Sequence, residues 1–110
     1  MSAPCCVVYY GLRFEIDEAE IESYEERTHQ IIKNARKYHL KYYWGNFAEP
    51  DEKYYAFLGT EVGIFGIENS LENSITNEEI NKMMNETEEK LRRAGYSEMP
   101  KLFIQWMMDA

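Results

Sequence analysis

The spacing of apolar residues along this chain switches between a two-residue and a 3.6-residue repeat, and the order of the switches limits the choice of fold. A two-residue repeat is typical of a strand with one buried face, and a 3.6-residue repeat is typical of an amphipathic helix. The two-residue repeat is clearest over residues 5–16, where the even-numbered side chains from Cys6 to Ile16 are all apolar or aromatic. This segment predicts a first strand whose even-numbered face is buried.

Two segments carry the helical repeat. Residues 17–39 begin with Asp17 and Glu20 at capping-box spacing and continue with an apolar stripe, so they predict one long helix. Residues 76–94 begin with a second capping box, Thr76 followed by Glu79, and precede a glycine, which commonly follows the end of a helix. Both predicted helices are amphipathic, so each buries one stripe.

The other strands are predicted from shorter patterns. Residues 53–58 and 62–67 are strand-like on either side of Gly59-Thr60-Glu61, which favours a β-hairpin with a three-residue turn. Residues 101–108 alternate again and predict the last strand. Residues 41–52 are rich in aromatic side chains, and we expect a partly extended loop there, with a short extra strand as the alternative.

Strand, helix, strand, strand, helix, strand is the βαββαβ order of the ferredoxin-like fold. We therefore predict an α+β sandwich in which two helices cover one face of a four-stranded antiparallel sheet of order 4-1-3-2. A chain of 110 residues has the size of a single domain, here residues 1–110. This fold serves many unrelated functions and does not by itself indicate one.

Charge and composition argue against several classes of function. Twenty acidic and twelve basic residues give a net charge of −8, which is unsuited to binding a nucleic-acid backbone. The apolar runs are far shorter than a membrane span, and the N-terminus does not have the pattern of a signal peptide. Adjacent Cys5 and Cys6 are better suited to remain reduced thiols than to staple a secreted fold. We expect a cytoplasmic protein with neither a nucleic-acid nor a membrane partner.

Patterns for catalysis or metal binding are weak. Glu26 and His29 have a spacing found in helical di-iron sites, but such sites need a second pair and further glutamates. The serine contexts do not match a nucleophile elbow, and the glycine spacing does not match a phosphate loop. We therefore predict no catalytic residues, no metal and no cofactor, and favour a non-catalytic function.

The sheet face opposite the predicted helices is the candidate functional surface, because it carries aromatic side chains where a solvated face is normally polar. A monomer seldom exposes a large apolar patch, so a second copy, a ligand or the aromatic segment 42–47 of the same chain should cover this face. An arginine in the middle of the face is suited to hold a carboxylate or phosphate, or to form a salt bridge across a dimer. The predicted binding residues are Tyr9, Arg13, Trp44, Phe103 and Gln105.

Three functions fit this pattern, and the first is favoured. It is a binding or interaction module that acts through the open sheet face on a protein or a small molecule, with a homodimer through the same face as one arrangement. The second is an acidic inhibitor or immunity-type protein that occupies a basic site on its partner. The third is a cofactor-free enzyme of the dimeric ferredoxin-like type, with His39, Tyr10 and Trp106 lining a pocket.

Overall fold

A computed structural model describes residues 4–48 and 53–107, and every structural statement below concerns those residues. The predicted end of the last strand at residue 108 lies outside them. In chain order the elements are strand β1 (Cys5–Ile16), a 3-10 turn (Glu18–Glu20), helices α1 (Ile21–Glu25) and α2 (Gln30–Lys37), strands β2 (Lys41–Ala48) and β3 (Lys53–Gly66), helix α3 (Asn77–Arg93) and strand β4 (Lys101–Met107).

The four strands form one antiparallel sheet in the order β2-β3-β1-β4. The predicted α+β class and the four-stranded antiparallel sheet are therefore confirmed. Strand β1 has the predicted bounds, and α3 begins at the predicted capping box, in which the Thr76 hydroxyl accepts a hydrogen bond from the Glu79 amide at 3.1 Å. Both elements were predictable because their patterns are long and local.

The prediction for the middle of the chain is wrong in two places. Residues 41–48 are a strand that pairs with β3, whereas a loop was favoured. Strand β3 continues through Gly59-Thr60-Glu61, so the predicted turn between residues 58 and 62 does not exist. These three residues look like a turn in sequence, but β1 is long enough to pair with all of them, and they lie opposite Gly11, Tyr10 and Tyr9.

The predicted helix over residues 17–39 is broken into α1 and α2. Between them, Arg27 has a positive φ of 60°, and the Ser23 carbonyl accepts hydrogen bonds from the amides of Thr28 and His29. The imidazole of His29 then accepts from the Ile31 amide at 3.1 Å and caps α2. The sheet is therefore covered by three helices, not the two expected from sequence.

Side chains are buried on both faces of the sheet, not on one as the repeat in β1 predicted. On one face, side chains of all three helices pack against the even-numbered residues at the end of β1, and we call this group the helix-side cluster. It comprises Leu12, Ile16, Tyr24, Ile31, Ile32, Ala35, Leu40, Ala56, Leu58 and Leu91. The inner cluster lies on the opposite face and comprises Cys5, Val7, Tyr9, Phe57 and Met107. Hence Cys5, Val7 and Tyr9 are fully buried, while Cys6 and Val8 are only half-buried.

The sheet is curled away from the helices, which explains the second cluster. In a flat sheet the edge strands β2 and β4 would lie about 14 Å apart, three strand spacings of ~4.8 Å. Here some of their Cα atoms lie within 8 Å of each other, and the Tyr43 hydroxyl on β2 donates a hydrogen bond to Met107 Sδ on β4 at 3.4 Å.

The curl coincides with a close approach of β1 and β3 at Gly11 and Gly59, which lie directly opposite each other. A Cβ atom on Gly11 would lie 2.8 Å from the Gly59 Cα atom and would collide with the Leu58 carbonyl oxygen. Both glycines have a φ of 156°, which side chains rarely adopt. The two strands can pair this tightly because neither residue has a side chain.

Candidate functional site

The face predicted to be open is largely covered by side chains of the same chain. Tyr9 is 1% exposed and stacks on Phe57, with ring centroids 5.5 Å apart. Tyr43 of β2 and Phe103 of β4 pack against this pair from the two edge strands. Of the three expected covers, the aromatic segment of the same chain therefore contributes through Tyr43.

Burial also determines the chemistry of Tyr9. Its hydroxyl lies 3.5 Å from Glu61 Oε1, and burial, together with the nearby Glu61 carboxylate, holds the pKa of Tyr9 far above its usual value. The phenol is therefore neutral at physiological pH. A buried neutral phenol with a carboxylate neighbour is a structural group, and it is not placed to contact a partner.

The exposed part of the inner face is centred on Arg13. Its Nη1 donates a hydrogen bond to Gln105 Oε1 at 2.7 Å. Its guanidinium carbon lies 4.5 Å from the ring centroid of Tyr55 and 5.2 Å from that of Phe103, within cation–π range of both. Three side chains therefore fix the orientation of a guanidinium that remains exposed to solvent.

No carboxylate oxygen of the described residues lies within 4 Å of the Arg13 guanidinium. Gln105 is neutral, so it orients the positive charge without compensating it. An arginine has five N–H donors, and the bond to Gln105 uses one of them. The remaining donors are suited to bind an anion, particularly a carboxylate or a phosphate.

A groove of about 710 Å³ lies beside this guanidinium, and we call it the Arg13 groove. Its walls combine charged and apolar side chains: Leu12, Arg13, Phe14, Glu98, Met99, Lys101 and Phe103. Two cations against one carboxylate give the groove a local positive charge in a protein whose net charge is −8. Its chemistry therefore suits a ligand that has an anionic group next to an apolar body.

The structure brings together four of the five predicted binding residues. Tyr9 and Phe103 are paired across β1 and β4, and Arg13 contacts Phe103 and Gln105. Trp44 lies on the other side of the sheet, where it packs against Tyr24 at 5.6 Å between ring centroids.

Sequence reasoning did not identify Met99 and Lys101 as groove residues. Lys101 lies opposite Gly11 at the first position of β4. An alternating pattern defines the faces of a strand but gives no information about the loop before it, which contains Met99. The alternation of β4 does place Lys101 on the same face as Phe103 and Gln105, and that was the available indication.

The residues considered for catalysis and metal binding have structural roles or lie apart. His39 is exposed at a turn with a φ of 58°, whereas Tyr10 is buried under α3 and lines a groove to which neither His39 nor Trp106 contributes. His29 Nε2 lies 2.7 Å from Glu20 Oε2, and its ring stacks on Tyr24 at 4.2 Å. In the described ranges, three or more potential metal-ligating side chains do not come together anywhere.

Cys5 and Cys6 are both free thiols. Burial raises the pKa of the Cys5 thiol, and a charge on neighbouring Cys6 would raise it further. An inert, protonated thiol at Cys5 agrees with the expectation that these cysteines do not form a staple.

Two further observations bear on function. Within residues 4–48 and 53–107, each helix is too short or too polar to span a bilayer. Comparison with protein-family models, curated proteins and solved structures found no match to this chain.

Proposed function

We propose that this protein is a non-catalytic binding module and that the Arg13 groove is its ligand-binding site. The ligand has a carboxylate or similar anion attached to an apolar group, as in a small aromatic acid or the C-terminal residue of a peptide. The observation that carries the proposal is the exposed Arg13 guanidinium, held in one orientation by Gln105, Tyr55 and Phe103. We place its action in the cytoplasm, where adjacent Cys5 and Cys6 would remain reduced.

Preorganisation is the physical reason that this arginine is suited to binding. A free arginine side chain loses rotamer entropy when it binds a ligand, which weakens the complex. The aromatic rings and Gln105 have already restricted Arg13 in the unliganded protein. Lys101 adds a second positive charge, and the apolar walls of the groove allow burial of the ligand body.

The proposal includes a ferredoxin-like assignment for the fold. The succession of strands along the chain and the sheet order β2-β3-β1-β4 support it. In this assignment, the segment α1–α2 occupies the place of the first helix, and α3 that of the second. The fold would then supply a rigid sheet on which the groove is built, without indicating which ligand it takes.

Titration with phenylbutyrate tests the proposal, with neutral phenylbutanol as the matched probe of the same apolar body. Two-dimensional NMR should show that phenylbutyrate shifts the side-chain amide signals of Gln105 and the signals of β4 residues near Lys101. Phenylbutanol should bind more weakly, because it cannot use the two cations of the groove.

Arg13→Gln should weaken phenylbutyrate binding by about 10- to 100-fold, since hydrogen bonds to a charged group contribute ~1.5–3 kcal/mol. Arg36→Gln is the matched control, because Arg36 is an exposed arginine on α2 and does not line the groove. Equal affinity for the acid and the alcohol, or an Arg13→Gln variant that binds as the unmodified protein does, would refute the proposal.

A further inference from the structure

Three large apolar side chains are exposed together on the helix-side face of β4. Leu102, Ile104 and Trp106 are 55%, 68% and 51% exposed, and we call them the β4 strip. Helix α3 packs mainly over β1 and β3, so these three side chains of β4 remain more than half exposed. An apolar groove, whose lining includes Tyr10 of β1, Met83 and Met84 of α3 and Leu102, continues the strip toward α3.

Strand β4 is also an edge of the sheet. In the described part of the chain it pairs with β1 alone, in a regular register without a bulge. Proteins usually protect such edges with lysines, prolines, bulges or very short strands. Between its first and last residues β4 has none of these devices, and its one charged residue is Lys101 at the start.

We propose that β4 pairs with β4 of a second copy of this chain, antiparallel and about a two-fold axis. The pairing joins two sheets of four strands into one continuous sheet and buries both β4 strips between the two α3 helices. This partner surface differs from the inner face, where the apolar side chains are already covered within one chain.

The pattern of β4 is self-complementary, which a two-fold interface requires. All its even-numbered side chains are apolar, so any antiparallel register that pairs even with even residues places apolar side chains opposite each other. The same operation places the two copies of Lys101 at opposite ends of the new ladder, where they do not repel each other. Because β2 approaches the Met107 end of β4, the new ladder would be centred on the half that begins at Lys101.

The exposed area is of the size that such an interface needs. The β4 strip exposes on the order of 300 Å², the size of the largest apolar patch on a typical monomer, and such patches often serve an interaction. Burial of the adjoining apolar groove and of the strand backbone would extend the interface toward the ~800 Å² per partner of a standard protein–protein contact.

The test is the mass in solution, measured by sedimentation or light scattering up to about 100 μM, where a micromolar Kd gives mostly dimer. The unmodified protein should have twice the 13.1 kDa mass of one chain. Ile104→Lys should have the mass of one chain with an unchanged circular dichroism spectrum, because Ile104 is exposed in the monomer. Ile67→Lys is the matched control, since Ile67 is 88% exposed but lies after β3, and it should remain dimeric.

A second variant, Leu102→Lys, gives the same readout if Ile104→Lys does not fold. A monomer mass for the unmodified protein over the whole concentration range would overturn the proposal, as would a dimer that survives both substitutions. Arg13→Gln should leave the dimer intact, so failure of the ligand-binding proposal can be distinguished from failure of this one.

Discussion

The contact between Gly11 and Gly59 predicts a large loss of stability on adding one methyl group. In Gly11→Ala the new Cβ would lie 2.8 Å from the Gly59 Cα atom, whereas nonbonded carbon atoms pack at about 3.5–4.0 Å. Strand β1 lies between β3 and β4, so it cannot move away from β3 without disturbing its second ladder. Overpacking costs typically ~1–3 kcal/mol and an unfavourable backbone conformation another ~1–3 kcal/mol, so we expect a loss of about 2–6 kcal/mol.

That loss is a large part of the ~5–15 kcal/mol by which a domain is usually stable. Urea unfolding followed by the fluorescence of Trp44 and Trp106 measures it, with comparison of midpoints at equal slope. Gly95→Ala is the control, because Gly95 also has a positive φ, of 94°, but a Cβ there meets nothing within 4 Å. The control should therefore show the conformational cost alone. If Gly11→Ala is no less stable than Gly95→Ala, the close approach does not hold the two strands as described.

Two further predictions concern ionisable groups. Burial raises the pKa of the Cys5 thiol, whereas Cys6 is only half-buried, so an aromatic disulfide reagent should modify Cys6 in the folded protein and Cys5 only after unfolding. Cys6→Ser should abolish the fast phase of thiol modification, and Cys5→Ser should keep it. Equal modification rates for the two thiols would contradict this assignment. The hydrogen bond from His29, together with that from the Asp17 amide, lowers the pKa of Glu20 below its usual 4.5. The ionised Glu20 carboxylate therefore stabilises the fold fully above pH 4.5, and this stabilisation is lost as the pH falls through the lowered pKa of the folded protein. Glu20→Gln should therefore lose less stability than the unmodified protein on acidification below about pH 4.5, as measured by thermal unfolding, and Glu22→Gln is the control. If Glu20→Gln loses as much stability below that pH as the unmodified protein does, the result would count against the contact between His29 and Glu20.

Local patterns were sufficient for some elements and not for others. Helix α3 has a capping box at Thr76 and a glycine with positive φ after its end, so its bounds depend on nearby residues. The break between α1 and α2 depends on His29, which caps α2 and also contacts Tyr24 and Glu20. A helical repeat that continues across such a break does not reveal it, because the apolar stripe is preserved on both sides.

The turn wrongly predicted in β3 and the cover of the inner face both depend on contacts between residues far apart in sequence. Gly59 was interpreted as part of a turn, although its role is to let β3 approach β1 at Gly11. The curl of the sheet coincides with that approach, and Tyr43 of β2 packs over the inner face. Sequence periodicity gives the face on which a side chain lies but not the curvature of the sheet. It therefore located Arg13, Phe103 and Gln105 on one surface and left open which of three covers lies over that surface.

The central position of β1 has a consequence for the folding rate. Both of its ladders join residues that are far apart in sequence, since Cys5 lies opposite Gly66 in one and opposite Met107 in the other. Closure of such long loops loses chain entropy before the hydrogen bonds of the ladder form, so chains dominated by distant pairings fold in milliseconds to seconds. Only the β2–β3 pairing is local among the described strands, and we expect this hairpin to form first. The inner cluster requires Met107 and would form last, so the half of β1 that carries Cys5, Val7 and Tyr9 remains exposed to solvent longest during folding.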